Sequence, residues 1–150
     1  MITASHAGSP LSLKPACQIA VTLGAPLTFG VTRDGERRVT PILGGTLLGI
    51  GESFAGLRAA VLPGGSDRQL VRADGTVEID ARYEARTDAG ELIGIHASGI
   101  RRATPDGVYF RAVLRFEAAS ATWAALQDAV FLADGAREAN AVRHTVFRVG

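Results

Sequence analysis

Cysteine, lysine, methionine and tryptophan each occur once in this 150-residue chain, and several familiar chemistries are thereby set aside. Cys17 alone cannot form an internal disulfide or a cysteine-based zinc site, and it suits a reducing compartment. The three histidines, His6, His96 and His144, show neither HxH nor HExxH spacing, so no metal site is expected. Charge of one sign is also missing. Sixteen basic and fifteen acidic side chains leave a net charge of +1, which argues against nucleic acid as a partner. Lys14 is the sole lysine, so nearly all the positive charge is arginine. The start, MITASHAGSP, lacks the apolar run of a signal peptide, and no later segment is long enough to cross a bilayer. A cytoplasmic location with no membrane partner is the expectation. Gly49-Ile50-Gly51 with Gly56 lacks GxGxxG spacing, and Gly64-Gly65-Ser66 lacks the G-x-S-x-G elbow. No cofactor is expected.

What remains is a chain that is 47% hydrophobic, one domain's worth of residues, with frequent glycine turns. Residues 1–10 read as a disordered leader and residues 11–150 as a single domain. Turn signals at Gly24-Ala25-Pro26, Asp34-Gly35, Gly44-Gly45, Pro63-Gly64-Gly65, Asp74-Gly75, Asp88-Ala89-Gly90 and Pro105-Asp106-Gly107 separate short β-type segments. Strands are expected near Ser12–Leu23, Leu27–Val31, Arg37–Ile42 and Thr46–Leu62, the last broken at Gly51. Residues 67–117 read as a four-strand antiparallel meander, and Ala129–Leu132 and Ala141–Val149 as closing strands. Ser120 is placed to cap one short helix near Ser120–Asp128, with Trp123 and Leu126 sharing a buried face. The fold class is all-β, an antiparallel β-barrel of about nine or ten strands with that one helix; closure removes exposed edges.

Hairpin logic brings polar side chains together. A two-residue turn at Asp74-Gly75 sets Asp67 opposite Arg82 and Gln69 opposite Asp80. A three-residue loop at Asp88–Gly90 sets Arg82 opposite His96 and Asp80 opposite Ser98. One face then carries the row Asp67, Arg82, His96 beside the row Gln69, Asp80, Ser98, within reach across strands about 4.8 Å apart. Histidine moves protons near neutral pH, a carboxylate orients it or replaces it as base, and arginine holds an enolate or carboxylate. Alternating charges on an amphipathic strand are equally the pattern of a solvated outer face. Between Tyr109 and Glu117, Phe110, Ala112, Leu114 and Phe116 are core, and Arg111 joins the cluster only if the preceding loop sets the right parity. Trp123 reads as core, or as a ligand wall if its helix closes a barrel mouth.

Arg37-Arg38-Val39-Thr40-Pro41-Ile42-Leu43-Gly44-Gly45, Val61-Leu62-Pro63-Gly64-Gly65-Ser66-Asp67, Asp74-Gly75 and Ile79-Asp80-Ala81-Arg82-Tyr83 together resemble the bacterial "domain of unknown function 3237" family. Tyr109-Phe110-Arg111, Arg115-Phe116-Glu117 and Phe131 with Gly135-Ala136-Arg137 look like its later motifs, so the likeness spans about Leu11 to Val149. The resemblance implies a compact antiparallel barrel similar to calycin-type small-molecule binders. Its polar motif positions fall on Asp67, Asp80, Arg82 and Arg111. Arg68 stands where the family commonly has tryptophan, the loop before Tyr109 is shorter than usual, and His96 lies outside the motif.

The leading expectation is a cofactor-independent isomerase, lyase or cyclase that moves a proton on a small carbonyl or aromatic compound in a barrel pocket. In it Asp80 is base or orienter, Arg82 and Arg111 stabilise negative charge, and His96 shuttles the proton. Asp67, Arg68, Ser98, Tyr109 and Trp123 are the expected substrate contacts. A non-catalytic small-molecule-binding barrel and a homo-oligomeric structural protein are the alternatives.

Overall fold

In a computed structural model, residues 10–150 are described. The leader expected at 1–10 lies, apart from Pro10, outside the described residues. Ten strands follow in order: β1 (Leu13–Leu23), β2 (Leu27–Thr32), β3 (Gly35–Gly49), β4 (Arg58–Val61), β5 (Gly65–Val71), β6 (Val77–Thr87), β7 (Leu92–Thr104), β8 (Gly107–Ala118), β9 (Val130–Glu138) and β10 (Ala141–Val149). All pairings are antiparallel. The circuit β1-β10-β9-β8-β7-β6-β4-β3 closes because β3 pairs back onto β1, giving an eight-stranded barrel. Two strands lie off this circuit. β2 pairs with the first half of β3, and β5 continues the line of β4 between β3 and β6.

The segment expected as one short helix at Ser120–Asp128 is instead a 3-10 turn over Ala124–Asp128. Ser120 still starts the turn, accepting bonds at its carbonyl from Trp123 and Ala124 N–H, but the chain enters β9 before an α-helix can propagate. A second 3-10 turn spans Glu52–Phe54. Among the described residues no helix is long and apolar enough to cross a membrane.

Strand alternation sorts the residues. On β6, Val77, Ile79, Ala81, Tyr83 and Ala85 point inward and are buried, while Asp80, Arg82, Glu84 and Arg86 point outward and are exposed. On β8, Phe110, Ala112, Leu114, Phe116 and Ala118 take the inside. Phe54, Phe116 and Phe131 pack edge to face, with centroids 5.0–5.5 Å apart, and fill the end of the barrel next to the Glu52–Phe54 turn. Cys17 is fully buried there, and its thiol is pushed up to about 12 by burial, which leaves it inert.

Gly44-Gly45 is not a turn, as its composition suggests, but lies inside β3. Gly45 has φ +143°, and a Cβ there would sit 1.9 Å from the Ala20 carbonyl oxygen of β1. The closing seam therefore requires a residue without a side chain. Gly45→Ala should cost at least about 3 kcal/mol in urea unfolding, from steric overlap added to backbone strain. Gly64→Ala, at φ +111° with nothing within 4 Å, should cost only about 1 kcal/mol. Equal losses would mean that the seam is not the constraint.

Candidate functional site

The hairpin between β5 and β6 decides which side chains meet. Gly75 N–H donates to the Arg72 carbonyl and Arg72 N–H to the Thr76 carbonyl, so three residues, not two, form the loop. Gly75 sits at φ +88° and Asp74 Oδ1 accepts Thr76 N–H at 2.9 Å, a type I turn completed by a left-handed glycine. The extra loop residue slips the register by one. Arg82 lies opposite Ser66, not Asp67, and Asp67 pairs with Ala81. A slip of one exchanges the faces. Asp67 and Gln69 therefore point into the barrel and are buried. The three-residue loop at Asp88–Gly90 forms as the sequence suggests, with Arg82 opposite His96 and Asp80 opposite Ser98.

Asp80, Arg82, His96 and Ser98 thus share the outer face of β6 and β7, not a pocket inside the barrel as the sequence suggested, because the apolar set of β6 takes the inside. His96 Nε2 and Asp80 Oδ1 are 2.9 Å apart, with side chains 32% and 52% exposed. When Nε2 carries the proton it donates to the carboxylate, leaving Nδ1 as a lone-pair acceptor. Arg111 takes the same face, since Ile100 opposes it across the β7–β8 ladder; its Nη1 pairs with Asp134 Oδ1 at 2.6 Å. Tyr109 lies between cations, 5.6 Å from the Arg111 and 5.1 Å from the Arg102 guanidinium. Arg68, on β5, has the Arg37 Nη1 donating to its carbonyl at 3.2 Å. Among the described residues, neither Arg82 nor Arg68 has a carboxylate within ion-pair distance.

These residues line one depression of about 930 Å³ on the outside of the barrel, with apolar walls from Leu70, Ile100, Val113 and Leu132. Seven expected site residues converge there: Arg68, Asp80, Arg82, His96, Ser98, Tyr109 and Arg111. Two do not. Asp67 is inside the barrel, as described above. Trp123 lies near the filled end, where it packs against the core that holds Leu126 and its Nε1 donates to Glu91 Oε1 at 3.1 Å beside Ser120; it is a core residue, as one of the two sequence readings had it, and not a groove wall. Among the described residues no three His, Cys, Asp or Glu side chains group closely enough to hold a metal ion.

The inner face carries its own polar groups: Asp67 and Gln69, which the expected register placed outside, and Arg38, Thr40 and Arg101, which the sequence reading did not assign to a site. Asp67 Oδ1 accepts Asp80 N–H at 3.0 Å and Oδ2 accepts Gln69 Nε2 at 2.9 Å. Burial outweighs both bonds and raises its carboxyl above the usual range. Arg38, Thr40 and Arg101 lie near it. Parity was the available signal for Arg101, which continues the inward series Ile93, Ile95, Ala97 along β7. His144, also inward, packs edge to face on Phe110 at 5.4 Å.

A profile of the family described as "Protein of unknown function (DUF3237)" matches residues 11–149. The chain belongs to that family. A UPF0311 protein of Bradyrhizobium diazoefficiens is 30% identical over 153 residues, covering 93% of this chain and 97% of its own. A crystal structure of a "beta-barrel like protein" from Acinetobacter baumannii superposes with a TM-score of 0.88 at 29% identity, covering 97% of this chain and all of that one. The crystal structure of "an enzyme from Penicillium herquei" superposes with a TM-score of 0.74 at 19% identity, covering 98% of this chain and 100% of its own, a likeness of fold.

Burial moves the His144 imidazole down to about 4 from an ordinary 6.5. Between these values the unfolded chain binds the proton and the folded chain does not, so stability is lost as pH falls from 6.5 toward 4. The loss should approach about 3 kcal/mol. His144→Leu should flatten that part of the stability–pH curve, measured by urea unfolding at pH 4.5, 5.5 and 7; an unchanged slope would place its cause elsewhere.

Proposed function

We propose that this DUF3237 barrel is a cofactor-independent proton-transfer enzyme, an isomerase or lyase, acting on a small carbonyl or aromatic compound held in the outer groove. The observation that carries the reading is the His96–Asp80 pair at 2.9 Å inside a depression that also holds Arg82, a cation with no carboxylate partner among the described residues. Apolar walls with a few convergent polar groups are the usual make-up of a small-molecule site.

Asp80 accepts the Nε2 proton and fixes the ring, which leaves His96 Nδ1 to take a proton from carbon next to the carbonyl. Arg82 sits directly across the β6–β7 ladder from His96, so its guanidinium is the natural partner for the enolate oxygen that forms. Arg111 is already neutralised by Asp134, and its part is to hold Tyr109 and the groove wall rather than to meet the enolate. Return of the proton to a different carbon gives an isomerase; loss of a β-leaving group from the enolate gives a lyase. Neither step needs an oxidant, a reductant or a bound cofactor.

The test is exchange of α-hydrogens for deuterium in small aryl ketones and 1,3-dicarbonyl compounds, followed by NMR in D₂O. Catalysed exchange should fall roughly 10²–10⁴-fold in His96→Asn, which removes the general base. Asp80→Asn should also slow it, by less. Exchange that is catalysed equally by the wild type and both variants would remove this pair from the mechanism.

A further inference from the structure

The open end of the barrel, opposite the Phe54–Phe116–Phe131 plug, holds a second cavity of about 760 Å³, on the inner face of the sheet. Its lining is unlike the groove outside. Arg38, Arg101 and Gln69 point in from β3, β7 and β5, against an apolar wall that includes Val77 and Phe110. Arg38 Nε and Arg101 Nη1 are both buried and, among the described residues, have no hydrogen-bond acceptor within reach. A buried guanidinium donor without an acceptor is costly, and native proteins rarely keep two in one place without use.

The charge balance points the same way. Burial, and then repulsion from Arg137 and Arg38, lower the affinity of Arg101 for its proton, and the attraction of Asp67 offsets this only in part. The carboxylates nearby are otherwise engaged. Asp67 accepts from Gln69 and from Asp80 N–H, and Glu138 pairs with Arg143 at 3.0 Å. The mouth is therefore a half-buried pocket with excess positive charge and two buried N–H donors that have no acceptor among the described residues. Arg101 also lies over the Phe110 ring, 5.7 Å from its centroid, which keeps the guanidinium plane beside the apolar wall.

We infer that this mouth is a binding site for a small organic carboxylate, its head taken by Arg38 and Arg101 and its apolar body laid against Val77 and Phe110. Guanidinium and carboxylate match through paired N–H donors. The apolar wall decides between anions: an inorganic anion would leave it bare, whereas an aromatic or branched acid covers it. The site is separated by the sheet from the outer groove and does not depend on the chemistry proposed there.

Isothermal titration with benzoate, benzamide and inorganic phosphate tests the inference. Benzoate should bind at one site per chain, with benzamide and phosphate each at least tenfold weaker on the unmodified protein. Arg101→Gln should weaken benzoate at least tenfold. His96→Asn, in the outer groove, should leave benzoate affinity within twofold. No saturable benzoate binding, benzamide binding as tightly as benzoate, phosphate binding as tightly as benzoate, or unchanged binding in an Arg38→Gln/Arg101→Gln double variant would each overturn it. The comparison of benzoate with benzamide uses the native chain, so it decides the matter even if a variant fails to fold.

Discussion

The Asp67 carboxylate holds the register on which both polar faces of this barrel depend. Between β5 and β6 the ladder skips Arg68 and Gln69, and Asp67 Oδ1 accepts the Asp80 N–H that would otherwise face β5 unbonded. A side-chain oxygen here takes the place of a backbone carbonyl. Its partner oxygen is held by Gln69, so the buried carboxylate is satisfied on both sides although burial raises its pKa. With β6 pinned in this way, its odd residues face the core and its even residues face out. The histidine–carboxylate pair outside and the arginines inside are consequences of the same alignment.

This arrangement also explains why polar chemistry sits where it does. The end of the barrel near Phe54 is filled by aromatic rings and offers no room for a ligand. Two recesses stand out among the described residues, the depression outside the sheet that crosses β3 to β9 and the opposite mouth. One sheet thus presents two recesses of different character. The outer one is half-exposed and carries paired charges, suited to moving a proton on a compound that enters and leaves freely. The inner one carries excess cation, suited to holding an anion.

Much of this was legible in the chain. Alternation gave the core face of β8 and divided β6 into its two sets without deciding which faced inward, and the Asp88–Gly90 loop gave the β6–β7 register that brings His96 to Asp80 and Arg82. The motif resemblance to the DUF3237 family gave the barrel and the family itself. The misreadings have specific causes. Asp-Gly serves a two-residue turn and also the end of a three-residue loop, and nothing local at Asp74-Gly75 separates them; Asp74 capping Thr76 N–H decides the matter only in the folded hairpin. Gly44-Gly45 looks like a turn because a close approach between distant strands leaves the same residue type as a tight bend. Trp123 was placed on a helix that does not propagate beyond a 3-10 turn. The inner arginines were overlooked because Arg38 lies beside Arg37 and Arg101 beside Arg102, and adjacent arginines on a strand always split between the faces.

The register at Asp67 is most directly tested by NMR on ¹⁵N,¹³C-labelled protein, as scalar coupling across a hydrogen bond. A coupling between the Asp80 amide nitrogen and the Asp67 side-chain carboxyl carbon is predicted, together with Ser66, not Asp67, showing interstrand contacts to Arg82. Interstrand contacts from Asp67 to Arg82, with no coupling to the Asp67 carboxyl, would mean that the two-residue turn governs. Asp67 would then lie outside, and the division of the sheet into two polar faces would fail.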